Sequence, residues 1–364
     1  MNKKVFIETL GCSKNQVDSE IMLGIMNENG FDLAESENDA DVVIINTCGF
    51  IESAKAESVD TIVEFVELKN KGNCKVLIVS GCLSQRYKDE LKKEIPEVDA
   101  FLGTTNFVEV AKIVENIFNK VGTVASHFDI DADVDYELPR ILTSPSYTAY
   151  IKISEGCDNR CTYCIIPKLR GKYKSRKMEN IIEEVTFLAQ NGTKELIIIA
   201  QDITRYGLDI YEEYKLVELL DELSKVEGIE WIRLQYSYPD IINDDLIDLI
   251  ARNDKICNYL DIPIQHCNDD ILKTMNRRTN KEHIISVINK LRSKIPGIAI
   301  RTSLIVGFPG ETDEQFRELY NFVEEIQFDR LGVFAYSREE DTPAAKLPNQ
   351  VDEDVKAERQ VQIM

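Results

Sequence analysis

The sequence predicts an α/β chain in two parts: an amino-terminal open parallel sheet covered by helices, then a partial (β/α) barrel of six units. Three observations carry this expectation. Short apolar runs alternate with stretches of helical spacing, the pattern of strands joined by helical crossovers. An acidic, proline-broken stretch over 121–146 interrupts the pattern, which restarts at Tyr147. Finally, at 364 residues the chain exceeds one ordinary core, so two domains are expected.

In the first part, 1–120, strands are expected at 4–10, 42–46 and 75–80, with a weaker one at 100–102. Helical spacing of apolar residues covers 18–29, 51–70, 86–94 and 108–119. The linker, 121–146, carries an acidic run at 129–137, then Pro139 and Thr143-Ser144-Pro145, and reads as a solvated connector. In the second part, 147–345, strands are expected at 150–154, 195–200, 231–236, 259–264, 298–305 and 331–336. Helical stretches at 178–190, 215–225, 244–250 and 314–326 separate them. Residues 346–364 read as a polar helical tail.

Composition narrows the function classes. A hydrophobic content of 43% with 29% charged residues describes a soluble globular chain. No apolar run approaches the roughly 18 residues of a membrane span. Met1-Asn2-Lys3-Lys4 leads straight into a strand without an apolar leader, so a cytoplasmic protein without membrane contact is expected. The cytoplasm keeps thiols reduced, which makes the nine cysteines, an odd number, better ligands than disulfide partners. Net charge is −21. That disfavours nucleic acid as a direct substrate, because such binding rests on neutralising phosphates. It favours encounter with a basic partner, although acidity also serves solubility.

Candidate chemistry lies in two groups of cysteines. Cys157, Cys161 and Cys164 follow the first strand of the second part at spacings of four and three. A tight loop of that length can turn three sulfurs toward one point. Iron–sulfur clusters take thiolates at such spacings, and three of them on a four-iron cube leave one iron open. Structural zinc more often takes two pairs, and no fourth Cys or His lies nearby. In the first part, Gly11-Cys12, Cys48-Gly49 and Gly81-Cys82 each end a strand. All carboxyl ends of a parallel sheet share one edge, where ligands bind, so Cys12, Cys48 and Cys82 converge there. The adjacent glycines let backbone or cofactor come close. The alternative is three buried structural thiols. Cys74 precedes its strand, belongs to the opposite end, and is left out.

CxxxCxxC with Tyr163 before the third cysteine resembles the signature of the radical S-adenosylmethionine (SAM) enzymes. In that family SAM chelates the open iron through its amino and carboxylate groups, and an electron cleaves it to methionine and a 5′-deoxyadenosyl radical. Residues 10–20 and 46–54 resemble the amino-terminal domain of the methylthiotransferases, the radical SAM subgroup with a second [4Fe-4S] cluster. They are most similar to the branch that modifies ribosomal protein S-twelve.

The resemblance implies two [4Fe-4S] clusters, one on Cys157, Cys161 and Cys164 and an auxiliary one on Cys12, Cys48 and Cys82, with SAM as cofactor. It implies methylthio transfer to the β-carbon of an aspartate in ribosomal protein S-twelve, free or in the small ribosomal subunit. An electron donor is implied as well. The auxiliary cluster would supply or carry the sulfur, and a second SAM the methyl group. By the same resemblance Tyr163, Gln201, Asp202, Arg301, Gly307 and Glu311 bind cofactor. Gln201 and Asp202 end the second barrel strand, and Gly307 to Glu311 form a Gly-rich turn after the fifth. His266, at the end of the fourth, is a plain polar residue or a functional one, and Cys257 and Cys267, flanking that strand, are structural or surface thiols.

The dense basic run at 168–177 is a solvated helix lead-in, or it meets the SAM carboxylate or an acidic substrate group. The usual carboxyl-terminal TRAM β-barrel of the family is absent after residue 345. Two other functions fit parts of the pattern: the same transfer to an adenosine of transfer RNA, and a non-enzymatic iron–sulfur or zinc scaffold or sensor.

Overall fold

The computed structural model describes residues 2–120, 128–132 and 138–364. The chain forms two compact units. One comprises Met1–Pro145 with Ile166–Lys172, the other Ser146–Ile165 with Tyr173–Met364.

The first unit is a parallel sheet of β1 (Lys4–Thr9), β2 (Asp32–Leu33), β3 (Val42–Thr47), β4 (Val76–Gly81) and β5 (Ala100–Phe101), in the order β2-β1-β3-β4-β5. Every residue of β3 and β4 is buried, as expected of strands covered on both faces. Val43, Ile45, Leu77, Val79 and Phe101 pack against Ile62 and Phe65 of the helix Glu52–Lys71. The strand order reverses between β1 and β3, and in such sheets ligands bind at the carboxyl ends beside that point.

Three differences from the sequence expectation have physical causes. The edge strand β2 has only two residues, too few for any periodic signal. The first helix, Ser13–Glu28, begins five residues before expected, because its early turns bury polar groups. Asn15, Asp18, Ser19 and Glu20 are all buried there, and an apolar count misses them. Finally, the linker is no solvated connector over 138–145. Arg140 donates to Glu20 at 2.6 and 2.9 Å, and Thr143 donates to the same carboxylate from its N–H and hydroxyl. Residues 121–127 and 133–137 of the expected linker lie outside the described residues.

The second unit contains β6 (Thr148–Lys152), a two-stranded antiparallel pair of β7 (Ser154–Glu155) and β8 (Lys174–Ser175), and then β9 (Glu195–Ile199), β10 (Trp231–Leu234), β11 (Ile256–Asp261), β12 (Ala299–Val306) and β13 (Arg330–Ala335). Six of these strands form one parallel sheet in the order β13-β12-β11-β10-β9-β6, the sequential neighbouring of a partial barrel. All six lie within a few residues of where the sequence places them. Residues of β12 alternate between half-buried and buried, so its two faces meet different surroundings. The helix Asp313–Ile326 opens on a capping box between Thr312 and Gln315 and buries Phe316, Leu319, Phe322 and Ile326.

The tail, Glu353–Ile363, is helical as expected but not merely polar. It buries Lys356, Arg359 and Ile363, and Gln360 donates to the Val333 carbonyl of β13. Among the described residues no helix is long and apolar enough to cross a membrane.

Candidate active site

Each unit holds one group of three thiols. In the first, Cys12 precedes the helix Ser13–Glu28, Cys48 follows β3, and Cys82 opens the helix Cys82–Arg86 directly after β4. The glycines at these positions let the strand ends approach one another. Gly11 has φ +89°, and a Cβ there would lie 2.8 Å from the Cβ and 3.0 Å from the Sγ of Cys48. A Cβ on Gly49 would lie 2.9 Å from the Leu83 backbone beside Cys82. Hydrogen bonds fix the same ends. Asn15 donates to the carbonyls of Leu10 and Thr47, and the Ser58 hydroxyl accepts from the N–H of Cys48 and donates to its carbonyl.

The electrostatics report the convergence. Burial pushes the Cys82 thiol up to about 12; Cys12 and Cys48 add to that rise, and Arg170 opposes it. Burial also raises Cys48, with Cys12 contributing and Arg170 opposing. Arg170 is itself buried, donating to Asn15 at 2.5 Å and to Asp18 at 3.3 Å. Cys12 is exposed, Cys48 half-buried and Cys82 buried, so the group opens on one side. Cys74 lies just before β4, at the other end of the strand, where its thiol meets the Val76 carbonyl.

In the second unit, β6 and β7 deliver the chain to the loop of Cys157, Cys161 and Cys164. Glu155 anchors its start, accepting from Lys152, Gln201 and the Gly156 N–H. Asn159 inside the loop donates to Asp202 at 2.8 Å, and Asp202 is fixed in turn by the N–H and hydroxyl of Thr204. Thr162 is tied to the carbonyls of Met275 and Thr274, and Asn276 donates to the Arg160 carbonyl. Burial pushes the Cys157 thiol up to about 12. Cys161 faces the Tyr238 hydroxyl at 3.9 Å and the Arg277 guanidinium at 4.0 Å.

The other expected site residues have separate fates. Tyr163 packs with Ile271, Met275, Phe308 and Tyr336, and burial raises its phenol. Gln201 and Asp202 hold the cysteine loop through Glu155 and Asn159. Arg301 donates to Asp261 at 2.7 Å across neighbouring strands. Gly307 has φ +70°, and a Cβ there would fall 2.3 Å from Lys356 Cγ, so the tail helix packs directly against its Cα. Its N–H donates to Glu311, which also accepts from Arg359 at 2.8 Å. Glu311 therefore ties the turn to the tail.

His266 is a buried polar residue whose Nδ1 accepts the Asn268 N–H. Cys257 is half-buried and Cys267 buried. Two members of the basic run are structural rather than solvated. Arg170 pairs with Asp18, and Arg176 donates to Glu184 and the Lys152 carbonyl. Sequence reasoning missed Asn159, a spacer position inside the cysteine motif, and Tyr238 and Arg277, which lie in stretches with no motif to mark them.

Among the described residues, no three His, Cys, Asp or Glu are gathered tightly enough to hold a single metal ion. A four-iron cube takes its thiolates at separate corners. An anionic cluster also suits the guanidinium set beside each group, Arg170 in the first unit and Arg277 in the second.

The profile of the uncharacterized protein family UPF0004 matches residues 4–103, and that of the radical SAM superfamily matches residues 151–323. The chain is 56% identical to the ribosomal protein uS12 methylthiotransferase RimO of Clostridioides difficile, over 99% of this chain and 81% of that protein. To the protein of the same description from Acetivibrio thermocellus it is 54% identical, over 100% of this chain and 82% of the relative. Among solved structures, the radical SAM methyltransferase TsrM from Kitasatospora setae aligns with a TM-score of 0.69 at 14% identity. That alignment covers 94% of this chain and 77% of TsrM, and at such identity it speaks for the fold.

Proposed function

The chain belongs to the ribosomal protein uS12 methylthiotransferase (RimO) family of radical SAM enzymes, and on that premise we propose that it adds a methylthio group to the β-carbon of an aspartate in uS12. The observation that carries this function is the pair of three-thiol groups, one at the carboxyl ends of a parallel sheet and one on the first loop of a partial barrel. When bound, two [4Fe-4S] clusters and SAM supply the electron, the hydrogen-abstracting radical, the sulfur and the methyl group.

The chain's own residues do the holding. Cys157, Cys161 and Cys164 hold one cluster, on a loop that Asn159, Thr162 and Glu155 keep in one conformation. Cys12, Cys48 and Cys82 hold the other. The buried thiols must lose their protons as they become ligands, so cluster uptake releases protons and the neighbouring guanidiniums favour it. An external one-electron donor is required, and the cytoplasm, where uS12 is made, is the proposed location. The net charge of −21 suits approach to a basic ribosomal protein by electrostatic steering.

The test is an anaerobic assay of the reconstituted protein with SAM, a reductant and purified uS12, read by mass spectrometry. One added methylthio group on an aspartate, absent with Cys157→Ala, is the expected outcome. SAM cleavage without a modified aspartate would redirect the substrate, with transfer RNA tested next. A chain verified to hold both clusters that gives neither product would sink the enzyme assignment, and zinc at one per chain would replace it with a scaffold or sensor.

A further inference from the structure

Arg277 is a buried cation in search of an anion. It is 8% exposed, and its guanidinium lies 3.8 Å from the centre of the Tyr238 ring. One Nη donates to the Pro263 carbonyl at 2.6 Å, the other lies 4.0 Å from Cys161 Sγ, and Nε has no partner. Among the described residues no carboxylate pairs with it. The groups that feel its charge most closely are Cys161, Tyr163 and Tyr238, and Asp240 feels it too without pairing to it. Burying a guanidinium without a counter-charge is strongly unfavourable. Of the groups beside it, the thiol of Cys161 is the one that becomes an anion when it ligates iron.

We propose that Arg277, stacked on Tyr238, is a positioning residue that sets its charge against the Cys161 sulfur and eases one-electron reduction of the cluster bound there. The proposal rests on the assignment of Cys157, Cys161 and Cys164 as cluster ligands. Net charge and hydrogen bonds to the sulfurs are the levers by which a protein sets a cluster's potential. A fixed positive charge beside one sulfur stabilises the state carrying the extra electron. Removing that charge makes the cluster harder to reduce.

The experiment is a redox titration of the full reconstituted chain followed by electron paramagnetic resonance. The signal of the second unit's cluster is identified as the one that Cys157→Ala lacks. Arg277→Met is expected to keep its iron and to shift that signal to lower potential. At a fixed donor potential about tenfold less of the cluster should be reduced, equivalent to about 59 mV for one electron. Arg277→Lys, which keeps the charge, should recover most of the shift. Tyr238→Phe, which keeps the ring but removes the hydroxyl at 3.9 Å, should shift the signal less in the same direction, and it carries the test if Arg277→Met does not fold.

An unchanged potential with a raised KM for SAM would overturn the proposal in favour of a direct SAM contact. Equal loss of iron from the Met and Lys variants would reduce Arg277 to packing. A parent chain without the Cys157-dependent signal would instead refute the ligand assignment itself.

Discussion

The two groups bring three thiols together by opposite routes. Cys12, Cys48 and Cys82 come from three separate strand ends, and the parallel sheet brings them together. Cys157, Cys161 and Cys164 share one loop, whose shape depends on individual hydrogen bonds from Asn159, Thr162 and Asn276. The first group is thus a property of a fold and the second of a local motif. Their cations differ likewise. Arg170 is paired with Asp18 and helps close the first unit, whereas Arg277 has no carboxylate and faces a thiol.

The largest effect should separate the groups by chemistry. Cys48→Ala and Cys157→Ala should each remove about half the iron, since each group would hold one four-iron cube. Both should abolish methylthio transfer, but only Cys157→Ala should abolish SAM cleavage to 5′-deoxyadenosine. Equal loss of cleavage in both would erase the division of labour.

A smaller effect should expose the dependence of the first group on its fold. Arg170→Met strips Asp18 of its guanidinium in a buried site, which costs about 3–5 kcal/mol by analogy with broken buried pairs. The sole tryptophan, Trp231, belongs to the second unit. Early loss of far-UV circular dichroism on heating, before any change in tryptophan fluorescence, is therefore expected. Simultaneous loss of both signals would mean that the units do not melt separately.

The smallest effect should come from Gly11→Ala. Positive φ and the close approach to Cys48 together cost about 1–3 kcal/mol. Iron bound by the first group should fall while the Cys157-dependent signal stays. No change in iron would mean that the strand ends can spread without losing their ligand geometry.

What the sequence revealed follows the same division. Strands rich in Val and Ile, and cysteines placed directly behind them, are local facts, so the parallel sheet, the six barrel strands and both thiol groups were legible. Partners set by tertiary contact were not. The helix at Ser13 hides behind buried polar residues whose bonds to Asn46, Arg140 and Thr143 no periodicity reveals. A Gly-Phe-Pro-Gly string likewise cannot announce that Lys356 of the tail helix packs against Gly307. Arg277 carries no motif, and only its surroundings distinguish it from the adjacent Arg278.

The membership of Ile166–Lys172 in the first unit also sets an order of events during synthesis. The first unit is not complete when the ribosome has made its sheet and the residues to Pro145. Arg170, which closes against Asn15 and Asp18, is translated only after the Cys157–Cys164 loop of the other unit. At about 5–20 residues per second, the sheet waits a few seconds for its last piece. The amino-terminal thiol group is therefore sealed only after the second unit has begun, while the Cys157–Cys164 loop waits longer still for its partners at Asp202, Thr274 and Asn276.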